Sequence, residues 1–290
     1  MTSSFEIEIG LHRQDESYQV DLRFDRSDSE ADAAPMRGDA KLDLFARDEF
    51  CKALRAGVLR RYGHDLPNRV DKGPIEELIS AAGAVRRQLE AAEPYKVLAG
   101  LDLPVFITTN PDNLLADALT EAGKNPKVLL CRRGYDESTA DAEDEFYRPT
   151  KDLPLVYHLF GHLRERDSLV LTQDDYFDYL IDVTRTHDLM PATVRRTLQN
   201  SALIFLGYQT SDWDFLSRSI MRQEGHSRRG LFSHVAVMDP EQERMVIDPD
   251  RARRYLEVYF SDAHISIFWG SADDFLRELL RQMQKISTTG

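Results

Sequence analysis

From Leu103 onward the chain repeats one rhythm: a short apolar run, a polar or glycine-bearing turn, then an amphipathic helix pattern. This constrains the fold more than any other feature. Short apolar strands alternating with helices assemble into a mainly parallel sheet covered on both faces. The first unit is the clearest. Residues 103–107 form an apolar, β-branched run that turns polar at Thr108. Asn110 has the chemistry of a helix N-cap and Pro111 suits a first helical position, with Leu114, Leu115, Ala118 and Leu119 as the apolar face beyond. Residues 153–159 are the next extended run, closed by Gly161. Helices are predicted over 174–183 and 191–198, and a strand over 202–206 that breaks at Gly207. Asp212 or Asp214 opens a further helix, and 235–238 and 265–269 give two more strands. Ser271 then caps the last helix, with Asp274 three residues on.

The first ninety residues read differently. Phe5, Ile7 and Ile9, then Tyr18, Val20, Leu22 and Phe24, alternate with polar residues, so 5–11 and 18–24 form a β-hairpin around a polar loop over 12–17. Residues 25–39 are acidic and rich in Ala and Ser, which marks an exposed linker. Helices are predicted over 48–62, capped by Asp48, and over 74–92, starting at Pro74 with Gly83 as an internal weakness. The expected organisation is a hairpin and linker over 1–45 and an α/β domain over 46–290, of which 46–94 is a helical lead-in. The fold class is α/β: a mainly parallel, doubly wound, Rossmann-like sheet with helices on both faces, plus the small N-terminal hairpin and helices.

Charge and composition narrow the function. The net charge is −13 and no Lys/Arg block stands out, which argues against a nucleic-acid partner. Two cysteines, Cys51 and Cys131, cannot build a four-thiolate site, and no histidine pair near them has zinc spacing, so no metal and no zinc are expected. The acids at 174–175 and at Asp212 and Asp214 read as helix caps, and the arginines at 195–196 and 251–254 as solvated faces. No signal stretch and no membrane-length apolar run is found, so a cytoplasmic protein without a membrane partner is expected.

In a doubly wound sheet, residues just past the carboxyl ends of strands face one crevice, where ligands bind. Three such ends are polar or glycine-bearing: Thr108, Thr109 and Asn110 with Asp112; Phe160, Gly161 and His162; and Gly207 with Tyr208. Their sequences carry a resemblance. T-T-N-P-D-N-L at 108–114 resembles the T-T-N-Y-D-x-L motif of sirtuin-like domains. L-V-Y-H-L-F-G-H-L at 155–163 resembles the V-Y-x-L-H-G stretch, and S-L-V-L-T-Q-D-D-Y at 168–176 the S-L-V-L-T-x-D-D-Y run. L-I-F-L-G-Y-Q-T-S-D-W-D-F at 203–215 is similar to L-x-F-L-G-Y-S-x-x-D-W-D-F. I-F-W-G-S-A-D-D-F-L at 267–276 is similar to the closing W-G-x-x-x-x-F-L segment. The matches keep family order over about residues 95–285.

The subgroup resembled is the prokaryotic type of antiphage and conflict systems, often fused to caspase-like or other effector modules. Its activity, where present, is cleavage of NAD at the nicotinamide–ribose bond. The ribose carbon becomes cation-like as nicotinamide leaves, so carboxylates and oriented amides stabilise it, an Asn positions the attacking oxygen and a His takes a proton. The resemblance implies NAD or ADP-ribose as ligand, with Asn110, Asp112 and His162 as the catalytic set. It also implies Thr108, Thr109, Asn110, Asp112, Phe160, Gly161, Gly207 and Tyr208 as binding residues, with Gly207 toward the adenosine side.

Two departures matter. Phe160 occupies the position of the catalytic His in L-H-G, and the glycine-rich G-A-G-x-S turn that cradles pyrophosphate has no counterpart upstream of Leu103. His158 shares Phe160's strand face but lies about 7 Å back, whereas His162 lies in the turn. Three readings stay open. The first is a degenerate site serving as scaffold or regulatory nucleotide-binding module, with an effector or sensor protein of the same system, or a second copy of the chain, as partner. The second is a working NAD hydrolase using Asn110 and His162. The third is a pure protein-interaction module.

Overall fold

The computed structural model describes residues 6–14, 17–25, 40–67, 70–131, 147–185, 190–207, 233–239, 247–261 and 264–289. The chain divides into two compact units, residues 1–57 and 58–290.

The first unit holds the hairpin. Strand β1 (Glu6–Gln14) pairs antiparallel with β2 (Ser17–Asp25), from Glu6 opposite Asp25 to Gln14 opposite Ser17. The predicted loop over 12–17 is thus shorter, because main-chain pairing continues past the last alternating apolar residue. Helix α1 (Ala40–Tyr62) begins in this unit. Asp48 lies inside α1 and is not its N-cap; the helix already starts within the stretch ahead of it. Most of the predicted linker, residues 26–39, lies outside the described residues.

In the second unit, α2 (Ile75–Leu89) has Pro74 at its cap position and α3 (Pro94–Ala99) is capped by the Glu93 carboxylate, which accepts from Lys96 N at 2.9 Å. Strand β3 (Val105–Thr108) leads through a turn to α4 (Leu114–Glu121), and β4 (Lys127–Leu130) follows. Strand β5 (Leu155–His158) lies between β3 and β4 and runs parallel to both. All four residues of β5 are buried, as a central parallel strand requires. Leu155 and Tyr157 pack with Tyr179, Met190, Val194 and Leu198 on one face. Val156, one residue out of phase, packs with Phe106, Leu115, Ala118 and Leu119 on the other. The first cluster draws on α5 (Gln173–Arg185) and α6 (Ala192–Asn200), the second on α3 and α4. Helices therefore cover both faces of this sheet.

A second parallel sheet has the order β6 (Ile204–Phe205), β7 (His234–Met238), β8 (Ile265–Trp269). Its core joins Phe205, Ala236, Met238 and Ile265 to Leu256 and Phe260 of α7 (Pro249–Ser261). Leu203 packs against the cores of both sheets. Helix α8 (Ala272–Thr289) closes the unit; Ser271 accepts from Asp274 N at 3.1 Å and donates to its carboxylate at 2.7 Å, the predicted reciprocal cap. The architecture is the expected mixed α/β one, with parallel strands flanked by helices. Strands β4 and helix α3 were not read from sequence. Among the described residues no helix is long and apolar enough to cross a membrane.

Helix α4 is held from behind by α2. Arg87 makes two bonds to the Glu121 carboxylate, 2.8 and 2.6 Å, and a Cβ at Gly83 would strike the Leu114 side chain. The glycine inside α2 is there for close helix packing, and the start of α4 is fixed in space as a result.

Candidate functional site

The turn after β3 is built by local bonds. Asn110 N donates to Thr108 Oγ1 at 3.0 Å, and Leu114 N donates to Asp112 Oδ1 at 3.0 Å. Thr109, half-buried, lies between the strand end and Asn110. The helix starts at Leu114 with Asn113 at the cap position, three residues later than the Asn110–Pro111 start expected from sequence. The reason is tertiary. A helix begun at Pro111 would need the Pro111 carbonyl for Leu115, but that oxygen accepts from Leu163 N at 2.9 Å. The segments around Asn110 and His162 are thereby stitched together.

Beyond β5 the chain passes Phe160 and turns at Gly161, whose φ is +82°. A Cβ there would run into the Ser168 carbonyl, so this position has no room for a side chain. Phe160 points to the aromatic core: its ring meets Tyr179 edge-on at 5.2 Å and Tyr176 at 6.0 Å.

His162 is 2% exposed, and both ring nitrogens are engaged. Arg164 N donates to Nδ1 at 3.0 Å, so Nδ1 bears no proton, and Nε2–H donates to Asn113 Oδ1 at 3.0 Å. Its backbone N donates to Ser168 Oγ at 2.9 Å. Burial first, then His158 and Arg164, push its pKa down to about 4. His162 is a neutral imidazole locked in one tautomer.

His158, 1% exposed, is arranged in the opposite way. Nδ1 lies 2.8 Å from the Asn110 carbonyl oxygen, which can only accept, so Nδ1 carries the proton. Nε2 therefore presents a bare lone pair. It is buried and has no hydrogen-bond partner among the described residues. Burial lowers the pKa of His158 and keeps the ring neutral. The two imidazoles stand edge to face, 4.7 Å apart.

Asn110 itself is exposed, yet bonded at three points: its N to Thr108, its carbonyl to His158, and its Nδ2 to Tyr95 Oη at 2.8 Å. Asp112 has a pKa raised to about 6, chiefly by burial and further by Asp117. Tyr95 is raised as well, by burial and then by the Asp112 charge. Among the described residues neither the exposed Asn110 Oδ1 nor the buried His158 Nε2 has a hydrogen-bond partner, and beside them lies the Asp112 carboxyl group, with its pKa raised to about 6. Such a set takes hydroxyl or amide donors from a ligand and can stabilise a cation-like centre.

The structure brings Thr108, Thr109, Asn110, Asp112, Phe160, Gly161 and His162 to one edge of one sheet. Gly207 stands at the end of β6 in the other sheet, with φ +74°, and no hydrogen bond among the described residues links it to that edge. Tyr208 and the run through Phe215, with its expected helix start, lie outside the described residues. Among the described residues no group of His, Cys, Asp or Glu could hold a metal ion. Of the Asp174–Asp175 pair, Asp175 takes part in capping: its Oδ2 accepts from Leu171 N at 3.1 Å and Thr172 N at 3.0 Å, and its N donates to Thr172 Oγ1 at 3.0 Å.

Sequence reasoning missed Tyr95 and Asn113. Asn113 was hidden because its partner is 49 residues away. For Tyr95 the available signal was Glu93-Pro94, a capped helix start just ahead of β3.

The family model described as SIR2-like domain matches residues 104–264. The NAD(+) hydrolase ThsA of Enterococcus faecium is 30% identical over 125 residues, 43% of this chain and 23% of that protein. The NAD(+) hydrolase ThsA of Cytobacillus dafuensis is 27% identical over 173 residues, 58% of this chain and 32% of that protein. The NAD(+) hydrolase ThsA of Bacillus cereus (strain MSX-D12) is 25% identical over 203 residues, 67% of this chain and 38% of that protein. The matched region spans well under half the length of each of these relatives.

Proposed function

The chain belongs to the SIR2-like domain family, and from that premise we propose that it is an NAD-binding module whose hydrolytic step is weakened. The observation that carries this reading is Phe160. A side chain that cannot take a proton stands where the family motif has its catalytic His, and it is packed against Tyr176 and Tyr179. His162 does not replace it without breaking its bonds to Arg164 or Asn113. Losing a general base slows such reactions by about 10²–10⁴-fold. The missing glycine-rich turn supports weakened pyrophosphate binding in the same direction. NAD as the ligand is supported by the relatives, which are named NAD(+) hydrolases.

In this proposal Thr108, Thr109, Asn110 and Asp112 serve the nicotinamide–ribose end, with Phe160 and Gly161 beside them. Gly207 and Tyr208 serve the adenosine side. The module works in a cytoplasmic prokaryotic defence or signalling assembly, with an effector or sensor protein, or a second copy, as partner. That role follows from the family resemblance.

A second reading, a working NAD hydrolase, is favoured by one observation: His158, bonded through Nδ1 to the Asn110 carbonyl, has a buried, unprotonated Nε2 with no partner among the described residues. One set of measurements separates the readings. Purified protein is incubated with NAD while nicotinamide release is followed, and calorimetry is run with NAD and ADP-ribose. Binding with little or no turnover is expected, and Phe160→His should raise turnover. Fast turnover in the native chain, lost in Asn110→Ala and in His158→Gln, would replace the first reading with the second. No binding of either ligand would leave a protein-interaction module.

A further inference from the structure

Asn110 is an exposed residue in a turn, a setting in which a carboxamide ordinarily rotates freely. Here it does not. Its backbone is held on both sides, by Thr108 Oγ1 at 3.0 Å and His158 Nδ1 at 2.8 Å, which fixes where the side chain leaves the chain. Its amide nitrogen then donates to Tyr95 Oη at 2.8 Å. That bond fixes the remaining rotation and turns Oδ1 away from the phenol. Among the described residues none bonds to Oδ1.

Tyr95 is suited to this task because its own position is fixed by the core. Its ring packs against the cluster of Phe106, Leu115, Ala118 and Val156. It sits at the second residue of α3, whose start is fixed by Pro94 and by the nearly fully buried Glu93 cap. Burial and the adjacent Asp112 charge keep the phenol protonated well above neutral pH, so its oxygen remains a neutral acceptor for the amide. We propose that Tyr95 is a positioning residue that orients the Asn110 carboxamide so that Oδ1 accepts a hydrogen bond from the nicotinamide–ribose half of NAD. This inference rests on the NAD-binding reading above and adds the residue that makes the Asn110 acceptor rigid before ligand arrives.

The test is Tyr95→Phe, which removes one oxygen and leaves the ring packing. Calorimetry with NAD and with ADP-ribose is run on the native chain, Tyr95→Phe, Asn110→Ala and the double variant. Tyr95→Phe should weaken NAD by about 3–10-fold, the range for one hydrogen bond. It should change ADP-ribose, which lacks nicotinamide, by less. In the Asn110→Ala background it should add nothing, because Tyr95 acts through Asn110. Nitrogen-15 relaxation of the Asn110 carboxamide supplies a ligand-free measure: its order should fall in Tyr95→Phe. An additive double variant, or a carboxamide equally ordered without the phenol, would overturn the proposal. Failure of the native chain to bind either ligand would overturn the NAD reading instead, and the carboxamide measurement still decides whether Tyr95 holds Asn110.

Discussion

The carboxyl ends of β5 and β6 both turn at a glycine in the left-handed region, Gly161 at φ +82° and Gly207 at φ +74°. In sequence the two are equivalent, each a short apolar strand broken by glycine. In space they differ. At Gly161 a Cβ would collide with the Ser168 carbonyl, and the turn is filled by His162, Ser168 and Asn113 bonding to one another. At Gly207 no atom of the described residues lies within 4 Å of where a Cβ would sit. The first edge has closed on itself, and the acceptor it leaves exposed is the Asn110 carboxamide oxygen. One glycine is demanded by packing, the other, among the described residues, by its dihedral angle.

Matched substitutions test this contrast most directly. Gly161→Ala combines the left-handed penalty, about 1–2 kcal/mol, with overpacking against main chain, about 1–3 kcal/mol, and should lose roughly 2–5 kcal/mol or fail to fold. Gly207→Ala carries the dihedral penalty alone and should lose about 1–2 kcal/mol. Urea unfolding of both variants measures the difference. Equal losses would mean that the two turns are built alike after all.

The next effect concerns the filled edge alone. His162 has a folded pKa of about 4 against an ordinary 6.5, so between those values the unfolded chain binds the extra proton. Its contribution to stability is complete above about pH 6.5 and is lost as pH falls toward 4, by about 3 kcal/mol in all. Asp112 runs the other way. Its folded pKa of about 6 exceeds the ordinary 3.8, so the folded chain binds the extra proton and stability is regained as pH falls through 6. From pH 6 to 4 the two slopes oppose each other. Stability measured across that range in His162→Gln should therefore rise on acidification relative to the native chain. An unchanged pH profile would show that His162 is not held neutral by its burial.

Much of the scaffold was legible because buried parallel strands are continuous apolar runs: β3, β5, β7 and β8 stand out for that reason. The cap at Ser271 and Asp274 was legible because it is local. Strand β4 was not, being four residues with Val128 exposed, too short to set a period. The start of α4 was not, because Leu163 takes the carbonyl a longer helix would need, and a partner 52 residues away leaves no mark on local propensity. The same holds for the histidines. Sequence places His158 and His162 on either side of Gly161, but which ring nitrogen is free depends on Asn110, Asn113 and Arg164. The motif residues were visible; their protonation and their freedom to act were not.

The smallest expected effect is the most informative about purpose. Asp112 is ionised at neutral pH although burial and Asp117 disfavour its charge. Asp112→Asn keeps an oxygen for Leu114 N and removes the charge, so at pH 7.5 it should stabilise the fold by about 1–2 kcal/mol after allowance for partial solvent contact. It should also expose the full acid slope of His162 between pH 6 and 4. If the carboxylate stabilises a cation-like ribose, the same substitution weakens NAD binding or turnover while it raises stability. A gain in stability with no loss at the ligand would make Asp112 a strained turn residue. A loss in stability would show that its charge is compensated in a way the burial of this edge does not suggest. Opposite signs in the two measurements are what a functional carboxylate at this edge requires, because a group held there against its own solvation is otherwise replaced at no cost.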